Sequence, residues 1–226
     1  MTDDNTNKGI IKKITAIIAV EPEKILKDAQ EYGIPVSCLE DFNDHEKIKR
    51  HTIERLSAKY VNNASQLCAL SGAATGAGSI ATVLALSAGD MGNMTAQLFR
   101  LNQKLAILNG FDPYNDIHQD KTLGIYLTAI GIEGAAQAGI RAMVAKAIVE
   151  NVAKKGPPTS IGIKVILEVV KLLGMTMSKR QAAKLVPFVG VALGAGVNFV
   201  FAKGAGKSLI EAYRMDAQDR ADAKSE

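Results

Sequence analysis

Residues 60–89 read YVNNASQLCALSGAATGAGSIATVLALSAG, 30 positions without one charged side chain. The reading of this run decides the fold. It shows neither the apolar–polar alternation of a half-buried strand nor β-branched clusters bounded by hairpin turns. Gly72, Gly76 and Gly78 instead stand at spacings that let two helix backbones approach closely, whether lipid or protein surrounds them.

Two further runs share this character. Residues 123–140 carry Glu133 as their one charge, and residues 185–202, LVPFVGVALGAGVNFVFA, carry none. Their small residues form comparable sets, Gly131 with Gly134, then Gly190, Gly194 and Gly196. Runs of this length raise the question of a membrane span. Composition argues for caution. The large aliphatics of the first run, among them Leu67, Leu70, Val83 and Leu86, sum to roughly −2 to −4 kcal/mol on an insertion scale. Glu133 at mid-helix costs about 2.5–3.5 kcal/mol on the same scale. The third run holds ten of Leu, Val or Phe but is interrupted by Pro187, the glycines and Asn198. A tight helical core and reversible contact with a membrane would bury the same segments and differ in what covers them.

Outward from these runs the helix punctuation is frequent. Pro22 near the start of EPEKILKDAQEYG and Gly33 beyond its end mark one helix. Ile48, Leu56, Tyr60, Leu67 and Leu70 recur along one face from Asp44 to about Ser71. Asp90 is placed to cap a helix through MGNMTAQLFRLNQKLAILN, with Gly110 past its end. A long helix is expected from about Asp120 to Lys155, and another from Thr159 or Ser160 to Gly174. Ser178 with Gln181 has capping-box spacing for a short helix ahead of Pro187. The expectation is an all-α, multi-helix bundle with long glycine/alanine-rich hydrophobic helices. An N-terminal helical extension over 1–43 precedes a domain over 44–214. The charged tail, 215–226, is expected to fray.

Composition bounds the function. The 226 residues are 47% hydrophobic and 22% charged, enough for a self-sufficient core and too apolar for disorder. Two cysteines, Cys38 and Cys68, exclude a disulfide framework or zinc ribbon. A net charge of +4, scattered in twos and threes among acids, leaves no stripe for nucleic acid. No secretory signal is read, so the expectation is a cytoplasmic protein, peripheral at the inner membrane if it meets one.

GAGKS at 204–208 ends like a phosphate-binding loop, but the first glycine of that loop would fall at Phe201. A helix-surface lysine is the better reading. FDPYNDIHQD offers Asp112, Asp116, His118 and Asp120, without the alternate spacing or turn glycine of a calcium loop. Turn and cap roles suit it better. His45, His51 and His118 lie in polar stretches and read as surface residues. Asp90 and Glu133 stand out as isolated acids in uncharged, glycine-rich helices, with Arg100 and Arg141 the nearest cations. Buried there, each would have to cap a backbone, pair with a cation or shift its pKa. No catalytic, metal or cofactor-binding residue is assigned.

The stretch SGAATGAGSIATVLALSAGDMGNMTAQLFRLNQKLAILNGFDP resembles the signature of EcsC-family proteins. There a small-residue run leads to an Asp-headed helix carrying an Arg, closed by a Gly-aromatic-Asp-Pro turn. The matching elements here are Gly72 to Gly78, Asp90, Arg100 and Gly110-Phe111-Asp112-Pro113. Pro187, Gly190, Gly194, Gly196, Asn198 and Phe199 are similar to the family's ending, and Glu133 sits in a comparable Gly-Ile-Glu-Gly stretch. The resemblance covers about Asp44 to Arg214, leaving the N-terminal extension outside. EcsC is named for a bacterial operon that also encodes the ATPase and permease of an ABC transporter. The resemblance therefore implies a role near the membrane and carries no catalytic residue.

The functional expectation is a non-enzymatic helical protein at the bacterial inner membrane, with lipid or membrane-protein helices as partners and oligomeric state open. The alternatives are a membrane-inserting, pore-forming toxin-like domain, in which residues 60–89 form a hairpin released on lipid, and a hydrolase or lipid-modifying enzyme using Asp90, Glu133 or the 112–120 acids.

Overall fold

Apolar positions three and four apart in residues 50–70 produce one long buried stripe, and the rest of the chain is arranged around it. The computed structural model describes the backbone of residues 17–44, 47–75, 80–112, 115–154, 159–182 and 191–225. It describes the side chains of 17–44, 47–70, 91–112, 115, 117–149, 161–173 and 196–223. Seven α-helices occur among them: α1 (Pro22–Glu31), α2 (Arg50–Thr75), α3 (Ile80–Leu108), α4 (Asp116–Ala129), α5 (Gly134–Lys154), α6 (Thr159–Ala182) and α7 (Val191–Ser225). A 3₁₀ turn, Glu40–Asn43, precedes α2, and the described residues contain no strand. The fold is all-α.

The most extensive interface pairs α2 with α7. On α2, Leu56, Tyr60, Ala64 and Cys68 recur every fourth residue and are buried, the spacing of one helix face. On α7 the buried series is Ala202, Ala205, Leu209, Tyr213 and Ala217. Lys203 bonds the side chain of Asn62, and Asn198 Nδ2 donates to the Cys68 carbonyl at 3.4 Å. Higher numbers on one helix thus meet lower numbers on the other, and the pair is antiparallel. At Gly206 the approach is close: a Cβ there would lie 2.6 Å from Val61 Cγ1. Helix α3 packs on both members, α6 on α3, α4 on α7, and α5 on α4 and α6.

Three helices end alike. At the ends of α1, α3 and α4, Gly33, Gly110 and Gly131 have φ of +77°, +76° and +82°. The following residue's amide reaches back five positions, Ile34 to Ala29, Phe111 to Ala106 and Ile132 to Leu127. This is the Schellman cap, and its apolar residue after the glycine is buried each time. A side chain at these φ values costs about 1–2 kcal/mol, which is why glycine stands there.

Buried tyrosines each find an acceptor. Tyr126 Oη donates to the Thr95 carbonyl at 3.1 Å, Tyr213 Oη to Asn102 Oδ1 at 2.9 Å, and Tyr60 Oη to Asp28 Oδ2 at 2.6 Å. Desolvation pushes all three hydroxyls well above the usual phenol range. The Tyr60 bond ties α1 to α2, and Ile25 and Ala29 seat α1 in the same core.

Several expected boundaries are corrected. α2 begins at Arg50, not Asp44, and continues to Thr75. Asp90 is inside α3, which starts at Ile80, so its backbone is not at a cap position; alanine and leucine on both sides carry the helix through Gly89. The helix expected over 120–155 is two, because Gly131 and Gly134 both adopt positive φ and make the turn between α4 and α5. α6 passes Gly174 and runs to Ala182, so Ser178 and Gln181 are interior and open no new helix. The expected tail is helical, since α7 continues to Ser225, with Asp216 and Ala217 buried. Among the described residues no helix is long and apolar enough to cross a membrane.

Candidate functional site

The outer face of the α2–α7 pair changes character along its length. At the start of α2 the exposed residues are His51, Arg55 and Lys59; beside them on α7 are Lys207, Glu211 and Arg214. Farther along, the same face turns apolar. Leu67 is 45% exposed, Leu70 69%, Val197 56% and Val200 70%. Because the helices are antiparallel, these four side chains fall at one end of the pair. At that end α2 closes at Thr75 and α7 opens at Val191. Clustered exposed aliphatics of this kind mark contact surfaces.

At the opposite end the Gly110-Phe111-Asp112 turn is held from three sides. Arg50 Nη1 donates to Asn109 Oδ1 at 2.6 Å, and Asn109 Nδ2 donates to the Leu105 carbonyl at 2.6 Å. Arg220 Nη2 donates to the Asn109 carbonyl at 2.8 Å, while its Nε meets Asp216 Oδ2 at 2.9 Å. Arg220 also lies 4.9 Å from the centre of the Phe111 ring, a cation–π geometry. Burial pulls the Arg50 guanidinium below its usual range, with Glu54 opposing the shift. A Cβ on Gly110 would overlap the Asn43 side chain, which itself accepts from Arg220 Nη1. The family-type turn is thus an architectural clasp joining α2, α3 and α7.

A cavity of about 270 Å³ lies between residues 18–21 and helices α3 to α6. Phe99, Asn102, Gln103 and Ala106 of α3 form one wall. Thr122 and Leu123 of α4, Val144 of α5, and Ile161 and Val165 of α6 form others. Asn102 is fully engaged, accepting from Tyr213 and donating Nδ2 to the Thr122 carbonyl at 3.2 Å. Gln103 Oε1 is buried without a hydrogen-bond partner.

The residues singled out from sequence separate into different places. Arg100, on α3, faces α1 beside Lys104 and Asp28, far along the helix from the Gly110 clasp. Glu133 is exposed in the α4–α5 turn, not buried in a helix. Arg141 pairs with Asp120 instead, and this contact holds the Asp120 carboxyl below its usual range. Asn198 is half-buried against Cys68. Asp112 borders the cavity, and its amide donates to His118 Nδ1 at 2.9 Å. His118 is therefore a structural acceptor, its ring 5.3 Å from that of Phe111, and not a bare surface histidine. Asn115 caps α4, accepting from the amides of Ile117 and His118. Gly72 and Gly194 lie in the backbones of α2 and α7. Gly76, Gly78, Pro113, Pro187, Gly190 and His45 fall outside the described residues.

Reactive-group readings gain little from this arrangement. Lys207 of the GAGKS stretch is exposed in the middle of α7, and Gly206 beside it is the close-approach glycine. The thiol of exposed Cys38 is pushed up by its bond to the Glu40 carboxylate, opposite to the shift that activates a nucleophile. Among the described residues no three of His, Cys, Asp and Glu converge as a metal set. The cavity was missed in the sequence, since it is assembled from five separate elements; the one local hint was the apolar Ile-Ile-Ala-Val before Glu21.

The molecule is thus a helical bundle with a clasped Gly-Phe-Asp turn at one end and an apolar tip at the other. It belongs to the EcsC protein family, whose model matches residues 3–215. That match takes in nearly all of the N-terminal segment expected to lie outside it, and Ile25, Ile34, Val36 and Phe42 accordingly sit in the shared core. Comparison with curated proteins and with solved structures yields no match.

Proposed function

We propose that this chain is a non-enzymatic, peripheral membrane protein that rests on an anionic bilayer through the apolar end of the α2–α7 pair. The observation that carries the reading is the graded face, charged at Arg55, Lys59 and Lys207 and apolar at Leu67, Leu70, Val197 and Val200. A surface of this kind lies in the headgroup boundary and does not span. Returning the four aliphatics to an apolar medium from their present exposure is worth roughly 4–7 kcal/mol. By affinity arithmetic that is an attachment of about millimolar to ten-micromolar strength, reversible and strengthened by cations near the surface. Lys203 and Lys207 stand next along α7 from Val200, where headgroup phosphates would lie.

The test is flotation with vesicles of phosphatidylglycerol and phosphatidylethanolamine at low salt, comparing the parent chain with a Leu70→Glu, Val200→Glu double variant. The parent is expected to float and the variant to lose at least tenfold in partitioning, with an unchanged melting temperature because both sites are exposed. Absence of the parent from the lipid fraction, or equal flotation of the two proteins, would refute the proposal.

A further inference from the structure

A polar cleft of about 240 Å³ lies between α1 and α3 and shares only residues 19–21 with the apolar cavity; neither the clasp nor membrane contact gives it a task. We infer that it binds a singly charged oxyanion, the chemistry of a carboxylate or a phosphodiester, between Arg100 and Lys104. Its occupancy is independent of membrane attachment.

Three features define the ligand. The first is a pair of cations without counter-ions. Arg100 and Lys104 stand four residues apart on α3, both line the cleft, and both are half-buried. Like charges at that spacing repel. Among the described residues neither joins an ion pair. Burial and the neighbouring Arg100 hold the Lys104 ammonium below its usual range, with Asp28 opposing the shift. Lys104 leans on the Tyr60 ring, 4.5 Å from its centre, which fixes it from one side. The Nε of Arg100 is enclosed by protein, so a ligand is met by the terminal nitrogens, whose fork matches two oxygens of one group.

The second feature is the charge sum. The inner wall carries Arg100, Lys104 and Asp28, which leaves one positive charge for a ligand to neutralise. Asp28 is tied to α2 by Tyr60, whose Oη donates to its Oδ2 at 2.6 Å. At the rim Glu21 is paired with Lys24 at 3.0 Å, and the exposed Lys27 and Glu31 offset each other across one helical turn. A doubly charged anion would overshoot this balance, and a neutral ligand would leave the repulsion in place. The third feature is size. A cavity of about 150 Å³ holds benzene, six heavy atoms, so about 240 Å³ takes roughly nine. One small anion fits.

Nuclear magnetic resonance titrations of the full chain at constant ionic strength test the assignment with butyrate, dimethyl phosphate, methyl phosphate at pH 8 and neutral butyramide. Butyrate and dimethyl phosphate are expected to bind saturably with about millimolar affinity, as two charge-assisted contacts allow, and about ten times more tightly than butyramide. Methyl phosphate, with two charges, should bind no more tightly than they do. Arg100→Gln and Lys104→Gln should each weaken both monoanions about tenfold, whereas Lys27→Gln at the exposed rim should cost less than about twofold. If one of the first two variants fails to fold, the other decides. The inference is overturned if neither monoanion saturates, if butyramide matches butyrate, if methyl phosphate outbinds both, or if Lys27→Gln costs as much as the inner variants. Flotation on the vesicles used above then separates the sources of the anion. A soluble one leaves Arg100→Gln floating like the parent; a lipid headgroup makes that variant lose about tenfold in partitioning.

Discussion

The contact between Gly206 and Val61 is the closest helix-to-helix approach among the described glycines and yields the sharpest prediction. A Cβ added at Gly206 would lie 2.6 and 2.9 Å from the two Val61 methyls, closer than Cβ atoms approach their neighbours in folded proteins. Gly206→Ala gains about 1 kcal/mol of helix propensity and loses about 1–3 kcal/mol to overpacking. Gly204→Ala, two residues away with nothing within 4 Å, keeps the gain without the loss. The two variants should therefore differ by about 1–3 kcal/mol, or roughly 2–12 °C in melting temperature for a chain of this size. Val61→Ala removes both offending methyls. Alone it costs about 1.5–3 kcal/mol; combined with Gly206→Ala it should return about 1–3 kcal/mol as coupling. Far-ultraviolet circular dichroism during urea or thermal unfolding reads all four proteins, since the chain has no Trp to follow by fluorescence. Equal stabilisation by the two alanines, or additivity of the Val61 and Gly206 changes within about 0.5 kcal/mol, would show that α2 and α7 do not meet as described.

Three other outcomes follow from contacts of different kinds. Gly110→Ala combines the positive-φ penalty with an overlap on Asn43 and should cost about 2–4 kcal/mol, against about 1–2 kcal/mol for Gly33→Ala or Gly131→Ala, where nothing lies within 4 Å; thermal melts of the three compare them directly. Asn109→Leu leaves the half-buried Arg50 guanidinium without its acceptor and should cost about 2–3 kcal/mol, and adding Arg50→Met should recover part of that loss in urea titrations. The Asp120 carboxyl is held low by Arg141 and that of Asp41 by the amides of Ser37 and Cys38. Depressed acids stabilise the folded state above their unfolded pKa of about 4, and this contribution disappears as pH falls through the lower folded values. Asp120→Asn should shrink the stability difference between pH 7 and pH 3 by no more than about 1 kcal/mol, because the pair is exposed; a larger change would contradict the assigned exposure.

Much of the secondary structure is legible without coordinates. Pro22 and Gly33 bracket α1, and Gly110 closes α3, because cap chemistry is local: the positive φ is a property of a single residue. Gly131 uses the same device, yet its neighbours form a charge-poor, helix-like run that hides the turn. Asp90 misleads for the converse reason. An Asp after Gly reads as a start signal, while the packing of α3 on α2, α6 and α7 overrides it. Of the glycines expected to make close approaches, Gly131 and Gly134 have nothing within 4 Å of an added Cβ. Gly196 faces open space, and the close approach belongs to Gly206, which no spacing rule separates from Gly204. The apolar end could be anticipated as uncharged sequence, but its position on the outside of the bundle depends on the antiparallel pairing of residues 62 and 203, which are remote in the chain. The cavity depends on five elements meeting and left almost no trace in any one of them.

Helix α7 has 35 residues, a rod of about 52 Å at 1.5 Å per residue. Val200 lies about 12 Å from its middle toward one end and Arg220 about 18 Å toward the other. Such a rod is a lever: a pivot of about 5° near its middle displaces Arg220 by about 1.6 Å, enough to carry a 2.8 Å hydrogen bond beyond its reach. If α7 moves as one rigid body, whatever leans on Val197 and Val200 is expected also to pull at the carbonyl of Asn109.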